Sequence, residues 1–275
     1  MLRDITIGQY YEEKSKIHSL DPRVKLFATV AYMAALFITN NVIGYVLSAI
    51  FLGVVIKISK VPLKYILKGL KTIVILILFS VFFSVIFTEG DVIIDLGIFD
   101  ITLQGIIKGA QLTARLCMLI MGTSLLTYTT TPTDIADGLE KACSPLKVIK
   151  IPVHDLAMMI SIAFRFIPIL VEETDKIMKA QMARGADFEN GNVFKKAKAM
   201  VPLIVPLIIS SIKRALDLAT AMEARCYRGG EGRTKMKPLK YKKLDACGYL
   251  SLFALVVATI GTNILWNIIG FEIHL

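Results

Sequence analysis

The chain has 275 residues, of which 55% are hydrophobic and 20% charged, and its mean hydropathy is +0.64. Soluble domains of this size are about 45–50% apolar and about a quarter charged. The excess here is concentrated in nearly uncharged stretches, which excludes an ordinary soluble enzyme and points to an integral membrane protein. A disordered tail, a collagen-like chain and a small disulfide scaffold are excluded on the same grounds.

The first 23 residues are polar and mixed in charge, without the apolar core of a signal peptide. Asp21-Pro22 then suits a helix start. An apolar run over 24–39 follows, Asn40-Asn41 breaks it, and 42–56 resumes as the second arm of a helical hairpin. A basic segment around Pro62 carries Lys57, Lys60, Lys64, Lys68 and Lys71. A third run covers 72–87, and an acidic, β-prone loop holds Glu89, Asp91, Asp95 and Asp100. The fourth run, 105–127, contains Lys108 and Arg115 and opens with Gly105-x-x-x-Gly109, a face that permits close helix packing. The last run is 246–270. At about 1.5 Å per residue the 15–17-residue runs need their flanks, or a thin bilayer, to cross.

The cations orient these spans. With the N-terminus in the cytoplasm, segments 1–25, 57–71 and 132–243 face inward and hold 5, 5 and 20 of the 32 Lys and Arg. The outward segments 39–41, 88–104 and 271–275 hold none. This is the positive-inside pattern, so the net charge of +10 calls for no nucleic-acid partner. Cys117, Cys143, Cys226 and Cys247 are scattered without a C-x-x-C, and Cys117 and Cys247 read as small core residues. His18, His154 and His274 are too far apart for a metal site.

The basic insertion 132–243 holds two further apolar stretches, 156–171 and 201–212. Arg165 and Pro168 interrupt the first, Pro202 and Pro206 the second. Each runs on into an amphipathic helix. Leu170, Thr174, Ile177 and Met178 lie opposite Glu172, Glu173, Asp175, Lys176 and Lys179. In the second, Ile212, Ala215, Ala219 and Met222 lie opposite Lys213, Arg214, Asp217 and Glu223. Two helices of about 40 Å, half apolar and half charged, fit a place across or beneath the membrane surface better than a crossing. The prolines allow each to bend towards the cytoplasm.

Both helices end alike, with Ala180-Gln-Met-Ala183-Arg184 and Ala221-Met-Glu-Ala224-Arg225. Gly185 follows the first, and Cys226-Tyr227-Arg228-Gly229 the second. An arginine in the last turn suits the helix dipole and a following glycine suits a left-handed cap. The repeat inside a basic insertion points to a paired docking device, since the arginine fork can engage carboxylates and carbonyls of a partner.

These residues, with Phe164-Arg165-Phe166-Ile167-Pro168, the opening Ser19-Leu20-Asp21-Pro22-Arg23-Val24-Lys25 and Thr131-Pro132-Thr133-Asp134-Ile135, resemble the transmembrane T component of energy-coupling factor (ECF) transporters. The resemblance covers essentially the whole length. It implies an all-α polytopic membrane protein with about five transmembrane helices. An N-terminal bundle would span 1–131, coupling helices 132–243, and a final transmembrane helix 244–275. It implies a bacterial or archaeal cell membrane, with the N-terminus cytoplasmic and the C-terminus outside. It further implies two cytoplasmic ABC-type ATPase partners, each gripping one arginine motif, and a small substrate-binding membrane partner, the S component, for vitamins or metal ions. The chain itself would bind no cofactor, with ATP and Mg residing on the ATPases. Carried over, Arg184 and Arg225 would each enter one ATPase groove, with Ala183, Gly185 and Ala224 permitting close approach. Cys226 stands where the first motif has glycine, so Arg228 competes with Arg225 for the second contact; the A-x-x-A-R frame favours Arg225. Arg165, Pro168, Pro202 and Pro206 would support the coupling helices.

Three other classes fit less well. Asp134-Ile-Ala-Asp137-Gly138 matches the start of the metal-binding signature of membrane phosphatidyl transferases, but of its later positions only Asp155 is in register. The fragment suits a helix start better, with Thr133 or Asp134 as the cap. A conventional ABC permease has one short coupling helix per subunit rather than two arginine ends in one chain. A secondary transporter requires inverted repeats with polar groups at the bilayer midplane.

Overall fold

The computed structural model describes residues 10–88, 92–95, 100–143, 152–186, 188, 193–229 and 239–269. Those residues form eight helices and one short hairpin, in the order α1 Pro22–Ile38, α2 Val42–Ser59, α3 Leu63–Phe87, β1 Val92–Asp95, β2 Asp100–Thr102, α4 Leu103–Thr129, α5 Pro132–Ala142, α6 Val153–Ala183, α7 Val193–Ala224 and α8 Lys243–Ile269. The strands are antiparallel, and the hairpin replaces the acidic loop between the third and fourth runs. The chain divides into two compact units: Gly8–Leu139 with Leu239–Leu275, and Met1–Ile7 with Glu140–Pro238.

The first unit is a bundle of long helices in which α8 lies against α1 and α2, and α4 against α1, α2 and α3. Its core gathers Tyr32, Leu36, Leu52, Ile56, Ile66, Met118, Leu125 and Leu255. The outward faces remain apolar, as Ile75, Leu78, Phe82 and Phe87 show on α3. Such a surface suits hydrocarbon, where helices satisfy their own backbone polar groups. Helices α2, α4, α6 and α8 are long and apolar enough to cross a membrane, and α3 qualifies when taken across its 59° bend. At 17 residues, α1 stands at the short end of the range of about 17–25 residues for a membrane-spanning helix. Much of the basic segment is therefore helical: Lys64 and Lys68 lie on the first turns of α3, and Lys60 caps α2 in a left-handed conformation.

Four helix starts in the bundle are closed by side chains, as orphan N–H groups require, whereas α3 begins after Pro62 without one. Asp21 caps α1 by accepting from Arg23 N at 3.0 Å, and Asn41 caps α2 by accepting from Gly44 N at 2.7 Å. Thr102 caps α4, accepting from Gly105 N at 3.1 Å. Helix α5 is capped by Thr131, whose Oγ1 accepts from Asp134 N at 3.2 Å. That corrects the expectation of Thr133 or Asp134: Pro132 takes the first helical position, one residue earlier.

The beginning of α1 is tied to two other helices. Asp21 N donates to Asp245 Oδ1 at 2.8 Å, and Lys242 N donates to Asp245 Oδ2 at 2.6 Å. Asp245 is 1% exposed. Lys25 Nζ, also buried, donates to His18 O at 3.0 Å and Thr129 O at 2.9 Å. The Arg23 guanidinium holds both Asp21 oxygens, at 3.0 and 2.9 Å, and covers the Tyr241 ring at 3.9 Å. That contact keeps the Asp21 carboxyl below the usual carboxylate range. Near the α1–α2 turn, Arg115 donates to Tyr45 Oη at 2.9 Å and Thr39 O at 3.1 Å, while Asn263 Nδ2 donates to Ile38 O at 2.7 Å. Arg115 thus serves the bundle's own packing, and Lys108 is exposed. The Gly105-x-x-x-Gly109 face meets α3, where a Cβ on Gly105 would come within 3.0 Å of Val85 O.

The cysteines are free; Cys117 and Cys143 are half-buried, whereas Cys226 and Cys247 are exposed. Cys247 is therefore not the core residue that its apolar surroundings implied: it lies on the outer face of α8.

Replacing Asp245 with Ala leaves two amide donors without their acceptor. The bundle is expected to lose about 3 kcal/mol, and thermal unfolding in detergent should show a clear drop in midpoint. Asp245→Asn, which retains one acceptor oxygen, should lose less.

Candidate functional site: two capped helix ends

The second unit is built on α6 and α7, of 31 and 32 residues and about 47 Å each. Pro168 lies inside α6, and Pro202 and Pro206 inside α7; all three are exposed. Arg165 is exposed on α6 and makes no hydrogen bond or ion pair with another described residue.

Both helices close with the same backbone device. At the end of α6, Gly185 N donates to Met182 O at 2.9 Å and Ala186 N to Gln181 O at 3.0 Å. At the end of α7, Cys226 N donates to Glu223 O at 2.8 Å and Tyr227 N to Met222 O at 3.0 Å. These are the paired reversed bonds of a left-handed helix cap. They require positive φ at the residue after the arginine, and Gly185 has +86° and Cys226 +56°. Arg184 and Arg225 therefore occupy identical cap positions, and Arg228 lies beyond the cap. Ala183, Arg184, Gly185, Ala224, Arg225 and Cys226 are all exposed. Each end offers a cation on a small-residue platform beside the negative pole of a helix.

The two helices meet through a polar contact that sequence periodicity misplaces. Arg214 Nη2 donates to Glu173 Oε2 at 2.6 Å, and Ser210 Oγ to Glu173 Oε1 at 3.3 Å. Both charges were assigned to outward faces. Instead, Leu207, Ser210, Ser211, Arg214, Leu218 and Met222 form the half-buried stripe of α7, while Ile212, Ala215 and Ala219 are exposed. The missed signal is the shared offset: each charge stands 11 residues before the arginine of its own motif.

Asp134 and Asp137 lie on α5, where Gly138 is buried against Pro22 and Leu26; Asp155 belongs to the other unit. No cluster of three metal-ligating side chains occurs among the described residues.

The apolar bundle and the pair of charged helices with matched arginine ends define a multi-pass helical membrane protein of the transporter class. Residues 13–236 match the family model CbiQ, described as cobalt transport protein. The chain is 48% identical over 265 residues to the energy-coupling factor transporter transmembrane protein EcfT of Thermosediminibacter oceani, covering 96% of this chain and all of that one. Identity to EcfT of Clostridium kluyveri is 49% over 269 residues, covering 97% and 100% of the two chains. To EcfT of Bacillus subtilis it is 46% over 256 residues, covering 93% and 97%. The chain belongs to this family, the energy-coupling transmembrane components of ECF transporters. It is a transporter subunit and not an enzyme, which removes the phosphatidyl transferase alternative.

The two caps share their backbone bonds, but the residue that takes positive φ is glycine in one and cysteine in the other. A side chain in that conformation costs about 1–2 kcal/mol, and nothing lies within 4 Å of a Cβ added to Gly185, so the cost there is conformational alone. Gly185→Val should fray the end of α6, and Cys226→Gly should tighten that of α7. Amide hydrogen exchange across 181–186 and 222–227 should move in those opposite directions.

Proposed function

We propose that Arg184 and Arg225 are the docking points for two cytoplasmic ABC-type ATPase subunits, one arginine to each. The observation that carries this reading is the identity of the two caps: two exposed guanidinium groups in the same backbone setting, on two helices of one chain. A cation at each helix end can donate charge-assisted hydrogen bonds to a carboxylate or carbonyl in a partner's groove. The long helices α6 and α7, within the coupling insertion 132–243, then carry ATP-driven closure of the ATPases to a small membrane S component that holds the substrate. Although α6 is long and apolar enough to cross, in this reading both helices lie across or beneath the cytoplasmic membrane surface, because each runs on into a charged, amphipathic half. ATP and Mg belong to the ATPases, and vitamins or metal ions are the cargo class. The metal-ion part of that class agrees with the family description, cobalt transport.

Charge reversal is the direct test. Arg184→Glu or Arg225→Glu should weaken capture of the ATPases by about 2–5 kcal/mol, measured by co-purification from membranes. The double variant should abolish the complex. Normal assembly and transport by the double variant would overturn the docking role.

Cation placement supports an N-terminus in the cytoplasm and a C-terminus outside, in a bacterial or archaeal cell membrane as the family resemblance implies. In a variant retaining Cys226 alone among the cysteines, a membrane-impermeant maleimide should react only after the membrane is opened. Reaction in intact cells would reverse the orientation.

A further inference from the structure

We propose that Glu173 and Arg214 are positioning residues that form the pivot of α6 and α7, setting the separation at which Arg184 and Arg225 are presented. This rests on the reading of those arginines as docking points. Its first support is the contact itself: Glu173 accepts from Arg214 Nη2 at 2.6 Å and from Ser210 Oγ at 3.3 Å, one carboxylate oxygen to each. The Arg214 Nε is buried without a hydrogen-bond partner among the described residues, while the Arg214 and Glu173 side chains keep 37% and 26% of their surface exposed, so the ion pair sits at the edge of the helix contact. Serines at 210 and 211 leave room for close approach of the two backbones.

The second support is register. Glu173 and Arg214 are separated by 41 residues, as are Arg184 and Arg225. The two helices therefore touch at equivalent points, and from each point an arm of 11 residues, about 16 Å, runs to a motif arginine. The contact acts as a local two-fold axis between two arms of equal length.

Chain length constrains the angle between them. Val193 follows Ala183 by ten residues, which reach about 35 Å at full extension. Were straight α6 and α7 parallel through the pivot, Ala183 and Val193 would stand about 46 Å apart, beyond that reach. With α6 and α7 straight through Pro168, Pro202 and Pro206, the two arms diverge by about a right angle or more, and equal arms place the arginines about 23–33 Å apart. That spacing keeps the ends on separate partners. Slippage at the pivot by one turn, about 5 Å, would change it.

The test uses the full chain in lipid nanodiscs, with native cysteines replaced by Ser and spin labels at Lys179→Cys and Thr220→Cys. Both positions are exposed, share the 41-residue offset and lie outside the motifs. The unmodified pivot should give one narrow distance distribution. Glu173→Arg should broaden it or shift its mean by about one helical turn, about 5 Å. Exchanging the charges, Glu173→Arg with Arg214→Glu, should restore it. Glu173→Gln, which retains the Ser210 bond but removes the charge, should fall between. An unchanged distribution in Glu173→Arg, or no restoration by the exchange, would overturn the pivot. If the distances respond as stated while arginine reversal leaves ATPase capture intact, the pivot stands and the docking reading fails. If capture needs the arginines but Glu173→Arg leaves the distances unmoved, the pivot fails alone.

Discussion

Lys25 carries an ammonium group into the helix bundle, and its partners are two backbone carbonyls, His18 O before α1 and Thr129 O at the end of α4. The last carbonyls of a helix lack intrahelical donors and form its negative pole, so a buried cation there meets a demand that would otherwise remain open. Asp245 makes the complementary link, receiving the amides of Asp21 and Lys242. Arg23 completes it by clamping Asp21 and covering Tyr241. Loss of any partner in this knot leaves a buried polar group without its hydrogen bond, which makes the start of α1, the end of α4 and the start of α8 interdependent.

The knot joins distant parts of the chain: Thr129, at the end of α4, and Tyr241, Lys242 and Asp245, at the start of α8, are all fastened to the start of α1. Arg115 and Asn263 close the α1–α2 turn in the same manner, by donating to its free carbonyls.

The matched ends of α6 and α7 show how a repeat can survive a change of residue. Cap geometry is set by backbone hydrogen bonds, and Cys226 adopts the left-handed conformation that Gly185 takes without strain. The arginine before it is held in the same position in both helices. Arg228, three residues further on, lies beyond the cap and shares none of this geometry.

Spans, cation asymmetry and paired A-x-x-A-R ends were legible in the amino-acid sequence by itself, because apolar length, charge placement and helix capping are properties of neighbouring residues. The acidic, β-prone loop was legible for the same reason. Pairings across the fold were not: Lys25 with Thr129 and Asp21 with Asp245 join residues 104 and 224 apart. Nor was the face of each coupling helix. Periodicity places charges outward, and Glu173 and Arg214 would follow that rule if each helix stood alone. Only the tertiary structure brings them together, since an ion pair between two helices satisfies both charges at once and lets the apolar stripe of Ile212, Ala215 and Ala219 turn away. Local chemistry decided what the elements are; polar groups that find partners only across the fold, buried at Lys25 and Asp245 and part-exposed at Glu173 and Arg214, decided how they meet.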